Sequence, residues 1–126
     1  MPKLFIVEDN YDIAELLRRR LTGEGYEVEI AQDDQDLHDL LKEGNPDLVL
    51  MDLDLGEFSK DGWELNQYLK SNEATKDIPV IVLTAHGQWV EARERATQEG
   101  FVDHVRKPID QDELMEKIRS HIREES

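Results

Sequence analysis

The sequence predicts an α/β protein, a doubly wound five-stranded parallel sheet with five helices covering its two faces. Three observations carry that prediction. Strand-like and helix-like segments alternate along the whole chain, which implies crossover connections. The runs at 3–7, 47–51 and 78–83 are continuously apolar rather than alternating, as strands buried on both faces should be. No internal repeat, low-complexity tract or shift of composition divides the 126 residues, so residues 1–126 read as a single domain.

Each element has its own signal. Lys3 to Val7 is a buried-strand run, and Asn10 to Thr22 follows as a helix with Ile13, Leu16, Leu17 and Leu21 expected on its inner face, closed by Gly23 and Gly25. Tyr26 to Ile30 alternates like a strand. Asp33 to Lys42 reads as a helix with Leu37, Leu40 and Leu41 inward and acids in its first turn, where the dipole favours them. Asp47 to Met51 is the next apolar strand; Trp63, Leu65 and Leu69 mark a helix ending near Asn72. Ile78 to Leu83 is another buried strand, Gly87 to Glu99 a helix whose apolar face is Trp89, Ala92 and Ala96, and Phe101 to Val105 a last strand. Asp110 to Arg123 closes the series with Leu114, Met115, Ile118 and Ile122 inward.

Composition narrows the function. Thirty acidic against 15 basic residues give a net charge of -15, which argues against nucleic acid and against an anionic membrane surface. The same charge suits a bound cation, a basic partner face, or plain solubility. With no cysteine there is no disulfide, zinc-thiolate site or thiol nucleophile. Apolar runs stay well short of the roughly 20 residues of a membrane span, and the first residues do not read as a signal peptide. A cytoplasmic protein is expected.

The residues at the ends of the apolar runs carry the functional signal. After Val7 come Glu8 and Asp9; after Met51, Asp52; after Leu83, Thr84; after Val105, Arg106, Lys107 and Pro108. In a parallel sheet these groups collect on one edge, near the point where ligands bind in such folds. Two carboxylates ~4 Å apart repel by ~4 kcal/mol at an effective dielectric of 20, so three need a counter-charge. A hard divalent cation such as Mg2+ suits an all-oxygen cluster, Lys107 supplies a second positive charge and Thr84 a hydroxyl. Singly, each residue has an ordinary explanation; Asp9, for instance, could cap the first helix.

The ordered set Glu8-Asp9, Asp52, Thr84-Ala85 and Lys107-Pro108 resembles the receiver domains of two-component response regulators, over essentially the whole chain. The resemblance implies a flavodoxin-like fold with Asp52 phosphorylated by a histidine kinase or phosphotransfer protein. It implies that Glu8, Asp9, Asp52 and the backbone carbonyl of Asp54 hold Mg2+. Thr84 would be the switch hydroxyl and Lys107 the phosphoryl contact, with Ala85 leaving space beside the phosphoryl group and the bond to Pro108 cis. Such a protein modifies its own aspartate and is not a turnover enzyme.

Departures from the family pattern bear on tuning. The loop Leu55-Gly-Glu-Phe-Ser-Lys60 lacks the usual proline and is longer than usual. His104 stands where a switch aromatic is expected; it could swing with Thr84 and add pH sensitivity, or be only a partly exposed histidine at a strand end. Asp54 and His86 occupy the variable positions that tune phosphoryl lifetime in the family. Arg18-Arg19-Arg20 could steer docking of the phosphodonor or stabilise a helix end, and Trp89 could anchor output contacts or pack in the core. With the sequence stopping at Ser126, no output domain is expected, and output is a contact with an unnamed downstream protein or onward relay. A homodimer through the last helix stays open.

Two rival readings fit less well. Asp52-Leu-Asp54 also matches the opening of haloacid-dehalogenase-like phosphatases, with Asp52 as nucleophile and Asp54 as general acid. Its place on the third strand, the missing later acidic motif and the absence of room for a cap argue against it. A nucleotide-binding flavodoxin-like protein is weaker still, because the turn after Val7 is acidic and lacks glycines.

Overall fold

A computed structural model of the chain describes residues 1–53, 61–84 and 89–122, with backbone alone for 89–92. Ten elements alternate: β1 (Lys3–Val7), α1 (Tyr11–Gly23), β2 (Glu27–Ala31), α2 (Asp34–Glu43), β3 (Leu48–Asp52), α3 (Gly62–Ser71), β4 (Val80–Thr84), α4 (Trp89–Gln98), β5 (Asp103–Arg106) and α5 (Gln111–His121). All strand pairs are parallel, in the order β2-β1-β3-β4-β5. The strand order therefore reverses between β1 and β3, the switch point of a doubly wound sheet.

Alternation along the strands sorts the core into two layers. Leu4, Ile6, Leu48, Leu50, Ile81, Leu83 and Val105 pack with Ala14, Leu17 and Leu21 of α1 and Leu114, Met115 and Ile118 of α5. Phe5, Val7, Val49, Met51, Val80 and Val82 face α2, α3 and α4 through Leu37, Leu65, Leu69 and Ala96. β3 and β4 are buried at every position, which is why their sequence shows no alternation.

Four helices begin on a residue whose side chain accepts from the third following amide: Asn10 from Ile13, Asp33 from Asp36, Asp61 from Glu64 and Asp110 from Glu113. The cap of α1 is thus Asn10, and Asp9 is left for other work.

The largest departure from the sequence reading is on α1. Ile13 and Leu16, expected inside, are 38% and 51% exposed, and Ala14 takes the buried position beside Leu17 and Leu21. Strand edges also move. β4 starts two residues after Ile78, with the Pro79 carbonyl accepting from Val49, and β5 begins at Asp103 after Val102 donates to Val80. Val102 itself is 41% exposed.

Candidate functional site

The two strands flanking the switch point deliver the carboxylates. Val7 pairs with Met51, so the next residues, Glu8 and Asp52, stand side by side at the carboxyl edge of the sheet. The Glu8 amide donates to Ala31 at 3.0 Å, which fixes the chain as it leaves β1. Ligand atoms of Glu8, Asp9 and Asp52 all lie within 4.8 Å of one another. Glu8 and Asp52 are buried, and Asp9 opens to solvent.

Lys107 arrives from β5. Its amide donates to the Thr84 carbonyl at 2.8 Å, which anchors the loop to the end of β4. From there Nζ reaches Glu8 Oε1 at 3.0 Å and Asp52 Oδ2 at 3.3 Å. The Lys107–Pro108 peptide bond is cis.

Burial, and secondarily the hydrogen bond to the Asp52 carboxyl, pushes the Glu8 carboxyl up to about 8 against the pull of Lys107. Burial would push Lys107 down, but its hydrogen bond to Glu8 and the negative charge of Asp52 outweigh that and hold it above the ordinary lysine range. The Glu8 carboxyl is raised because its Oε2 is buried with no hydrogen-bond partner among the described residues. Three carboxylates share the single ammonium of Lys107, which reaches Glu8 Oε1 and Asp52 Oδ2 and leaves the buried Glu8 Oε2 short of positive charge. A hard cation fits this cluster, since all the donors are oxygens and Asp9 leaves a side open for water and phosphate.

Thr84 ends β4 one position beyond Leu83, the register partner of Asp52. Its Oγ1 is buried and has no hydrogen-bond partner among the described residues. A buried hydroxyl without a partner costs about 1–3 kcal/mol, so a new acceptor at the site would meet a ready donor. Asp54, Ala85 and His86 lie outside the described residues, as does the loop at 55–60; the Trp89 side chain is also not described.

His104 sits on β5 opposite Val82 and is partly buried. Burial first, then the charge of Lys117, pushes its imidazole below the ordinary value of 6.5, while Asp103 pulls the other way. Protonation therefore strains the fold. With the folded value depressed, the unfolded chain binds more protons just below pH 6.5, and stability is lost as pH falls through the folded value. Urea unfolding at pH 7.5 and 5.5 is expected to show wild-type protein losing more stability on acidification than His104→Gln; an equal loss would place the sensitivity elsewhere.

Two features of this edge are not evident in the sequence. Lys107 lies nearer Glu8 than Asp52, so it bridges the carboxylates rather than serving Asp52 alone. Gly62, whose neighbour Asp61 caps α3, donates its amide to the Leu53 carbonyl at 3.0 Å, directly after the phosphoacceptor candidate. The Asp-Gly pair after an aspartate-terminated strand was the available signal.

Comparison with known proteins identifies the family and the fold. The profile of the response regulator receiver domain family matches residues 4–119. The polar-differentiation response regulator DivK of Brucella anthropi is 37% identical over 123 residues, covering 97% of this chain and 98% of DivK. The DNA-binding dual master transcriptional regulator RpaA of Synechocystis is 34% identical over 123 residues, 98% of this chain, which spans 50% of RpaA's length. In structure, the receiver domain of NtrX from Brucella abortus superposes with a TM-score of 0.85 at 28% identity, over 94% of this chain and 96% of that one. The phosphatase alternative finds no support in these matches. The chain belongs to the response regulator receiver-domain family.

Proposed function

We propose that the chain acts as one receiver unit that accepts a phosphoryl group on Asp52 from a histidine kinase or phosphotransfer protein, in a Mg2+-dependent reaction. The observation that carries this reading is the cluster of Glu8, Asp9 and Asp52 within 4.8 Å, bridged by Lys107. Mg2+, held by Glu8, Asp9 and Asp52 with the Asp54 carbonyl, would neutralise charge on the transferring oxygens. An Asp52 carboxylate oxygen bonds to phosphorus as the bond from phosphorus to the donor's imidazole nitrogen breaks, and that nitrogen takes up a proton. Lys107 holds Asp52 in place and meets the incoming oxygens. Little covalent chemistry is asked of the protein, so position and charge carry the rate. The acyl phosphate replaces one negative charge with about two. Thr84 can then donate to it, with His104 on the adjacent strand as the companion switch position and Pro108 next to Lys107; the roles that the family resemblance gives Ala85 and His86 belong to residues outside those described.

Signalling follows as phosphorylation-dependent contact with a downstream protein, or relay, in the cytoplasm. No helix among the described residues is long and apolar enough to cross a membrane. The decisive experiment is intact mass after incubation with acetyl phosphate and Mg2+. One phosphoryl group is expected on the wild type, and none on Asp52→Asn or without Mg2+. An adduct that survives in Asp52→Asn would place the acceptor elsewhere.

The exposed face of α1 has a place in this reading. Ile13, Leu16, Leu17 and Arg20 line an open hollow of about 300 Å3 together with Lys107, Pro108 and Ile109. Because Lys107 belongs to both the hollow and the site, a protein seated there brings its phosphohistidine toward Asp52. Arg18 and Arg19 are paired with Glu15, so of the arginine run Arg20 faces the visitor. Leu16→Asp is expected to slow phosphotransfer from a histidine-phosphorylated kinase able to load the wild type by about tenfold or more, as for an interface anchor. Loading by acetyl phosphate, which needs no docking, should stay unchanged; a parallel loss in both assays would make Leu16 a folding residue instead.

A further inference from the structure

We propose that Gly62 is a positioning residue for the phosphoacceptor: its missing side chain lets the first turn of α3 clasp the Asp52–Leu53 peptide, and that clasp fixes where Asp52 presents its carboxylate. The inference rests on the reading of Asp52 as phosphoacceptor and deepens it. A β-carbon on Gly62 would stand 2.3 Å from the Asp52 carbonyl oxygen, 2.8 Å from Leu53 Cα and 3.0 Å from the Asp52 carbonyl carbon. All three are backbone atoms, so no side-chain rotation relieves the clash.

Space, not conformation, demands the glycine. Gly25, Gly44 and Gly100 have positive φ, and Gly62 does not. Any residue could adopt its backbone angles; the contact alone forbids it. Around Gly25 and Gly44, by contrast, a β-carbon would meet nothing within 4 Å.

The clasp also comes at the right place. The ladder between β3 and β4 ends with Asp52 opposite Leu83. One residue on, the Leu53 carbonyl accepts from the Gly62 amide at 3.0 Å, while Asp61 accepts from Glu64 at 2.9 Å and fixes the start of the helix. Gly62 is buried, and Leu53 is 7% exposed. The end of β3 and the start of α3 therefore move as one body. An alanine would force the Asp52 carbonyl and Gly62 apart by roughly 1 Å to reach van der Waals contact. Either α3 lifts and frees the Leu53 peptide, or Asp52 shifts against Glu8, Asp9 and Lys107. A misplacement of roughly 1 Å can cost about 10²-fold in a reaction that depends on position.

The test compares the full chain as wild type, Gly62→Ala and Gln67→Gly, the last an exposed change that weakens α3 away from the site. Mg2+ affinity by calorimetry and the loading rate with acetyl phosphate are measured at a temperature where circular dichroism shows all three folded. Gly62→Ala is expected to bind Mg2+ about tenfold more weakly and to load about 10²-fold more slowly. Gln67→Gly, despite a lower Tm, should match the wild type in both. Wild-type values in Gly62→Ala, or equal losses in Gln67→Gly, would overturn the proposal. Should Gly62→Ala not fold, hydrogen exchange of the wild-type Gly62 amide decides: slower exchange with Mg2+ supports the clasp, and unchanged exchange refutes it. A wild type that neither binds Mg2+ nor takes a phosphoryl group would instead overturn the reading of Asp52 on which the proposal stands.

Discussion

With Lys107 replaced by methionine, Asp52 is expected to accept a phosphoryl group from acetyl phosphate about 10²-fold more slowly, although Mg2+ binds on the order of tenfold more tightly. The two effects have opposite signs for one reason. Lys107 Nζ lies 3.0 Å from Glu8 and 3.3 Å from Asp52, so a monovalent cation already rests on two of the three proposed metal ligands. Taking it away removes repulsion toward an incoming divalent cation and raises the affinity. Taking it away also removes a fixed positive charge from the position where phosphoryl oxygens gather negative charge. Removing one such preorganised group from other active sites costs about 10²–10³ in rate. Methionine keeps the length of the side chain, which limits the loss of packing. The metal-free protein avoids most of the penalty of two unpaired carboxylates, because Glu8, already held up near 8 by burial, simply keeps its proton. Calorimetry gives the affinity and quenched-flow mass measurement the rate. If affinity and rate fall together, Lys107 is a structural bridge and its charge is not used in transfer.

The fold was legible because its strongest signals are one-dimensional. The strands β3 and β4 are buried at every position, so their continuous apolar runs could belong only to the middle of a covered sheet. The ends of β1, β3, β4 and β5 pointed to Glu8, Asp52, Thr84 and Lys107 in turn, and a parallel sheet gathers strand ends without further information. Asp9 was ambiguous between site and cap until Asn10 proved to hold the first turn of α1. The inner face of α1 was misread for a physical reason. Ile13 and Leu16 carry more hydrophobic signal than Ala14, yet the crowded contact against the sheet takes the small residue and leaves the large ones facing out. An apolar side chain that serves a partner looks, in one sequence, like one that serves the core. The contact of Gly62 with Asp52 was invisible for another reason. It joins two backbones across a loop, and only the packing of α3 on the end of β3 shows that a β-carbon has no room there.

Phe5→Ala should have the largest effect on stability, lowering the free energy of unfolding by about 3–5 kcal/mol. Phe5 is fully buried in the middle of β1, next to the central strand, and packs in the layer facing α2, α3 and α4. Its neighbours are held by the ladders on both sides, Glu29 in β2 and Val49 in β3, so the cavity has little freedom to collapse. Against a total stability of about 5–15 kcal/mol for a domain, such a loss is a large share, and Tm should drop by roughly 10–15 °C. Site and core nevertheless remain separable. Glu8 and Asp52 meet Lys107 at the strand ends, and Phe5 lies in the middle of its strand, so the folded fraction of Phe5→Ala should keep the wild-type affinity for Mg2+. Mg2+ would then raise the stability of variant and wild type by the same amount, set by its concentration relative to Kd. Urea unfolding with and without Mg2+ reads both quantities. A smaller gain from Mg2+ in the variant would show that the core below β1 sets the position of Glu8, and that the carboxylate cluster is not built by the strand ends alone.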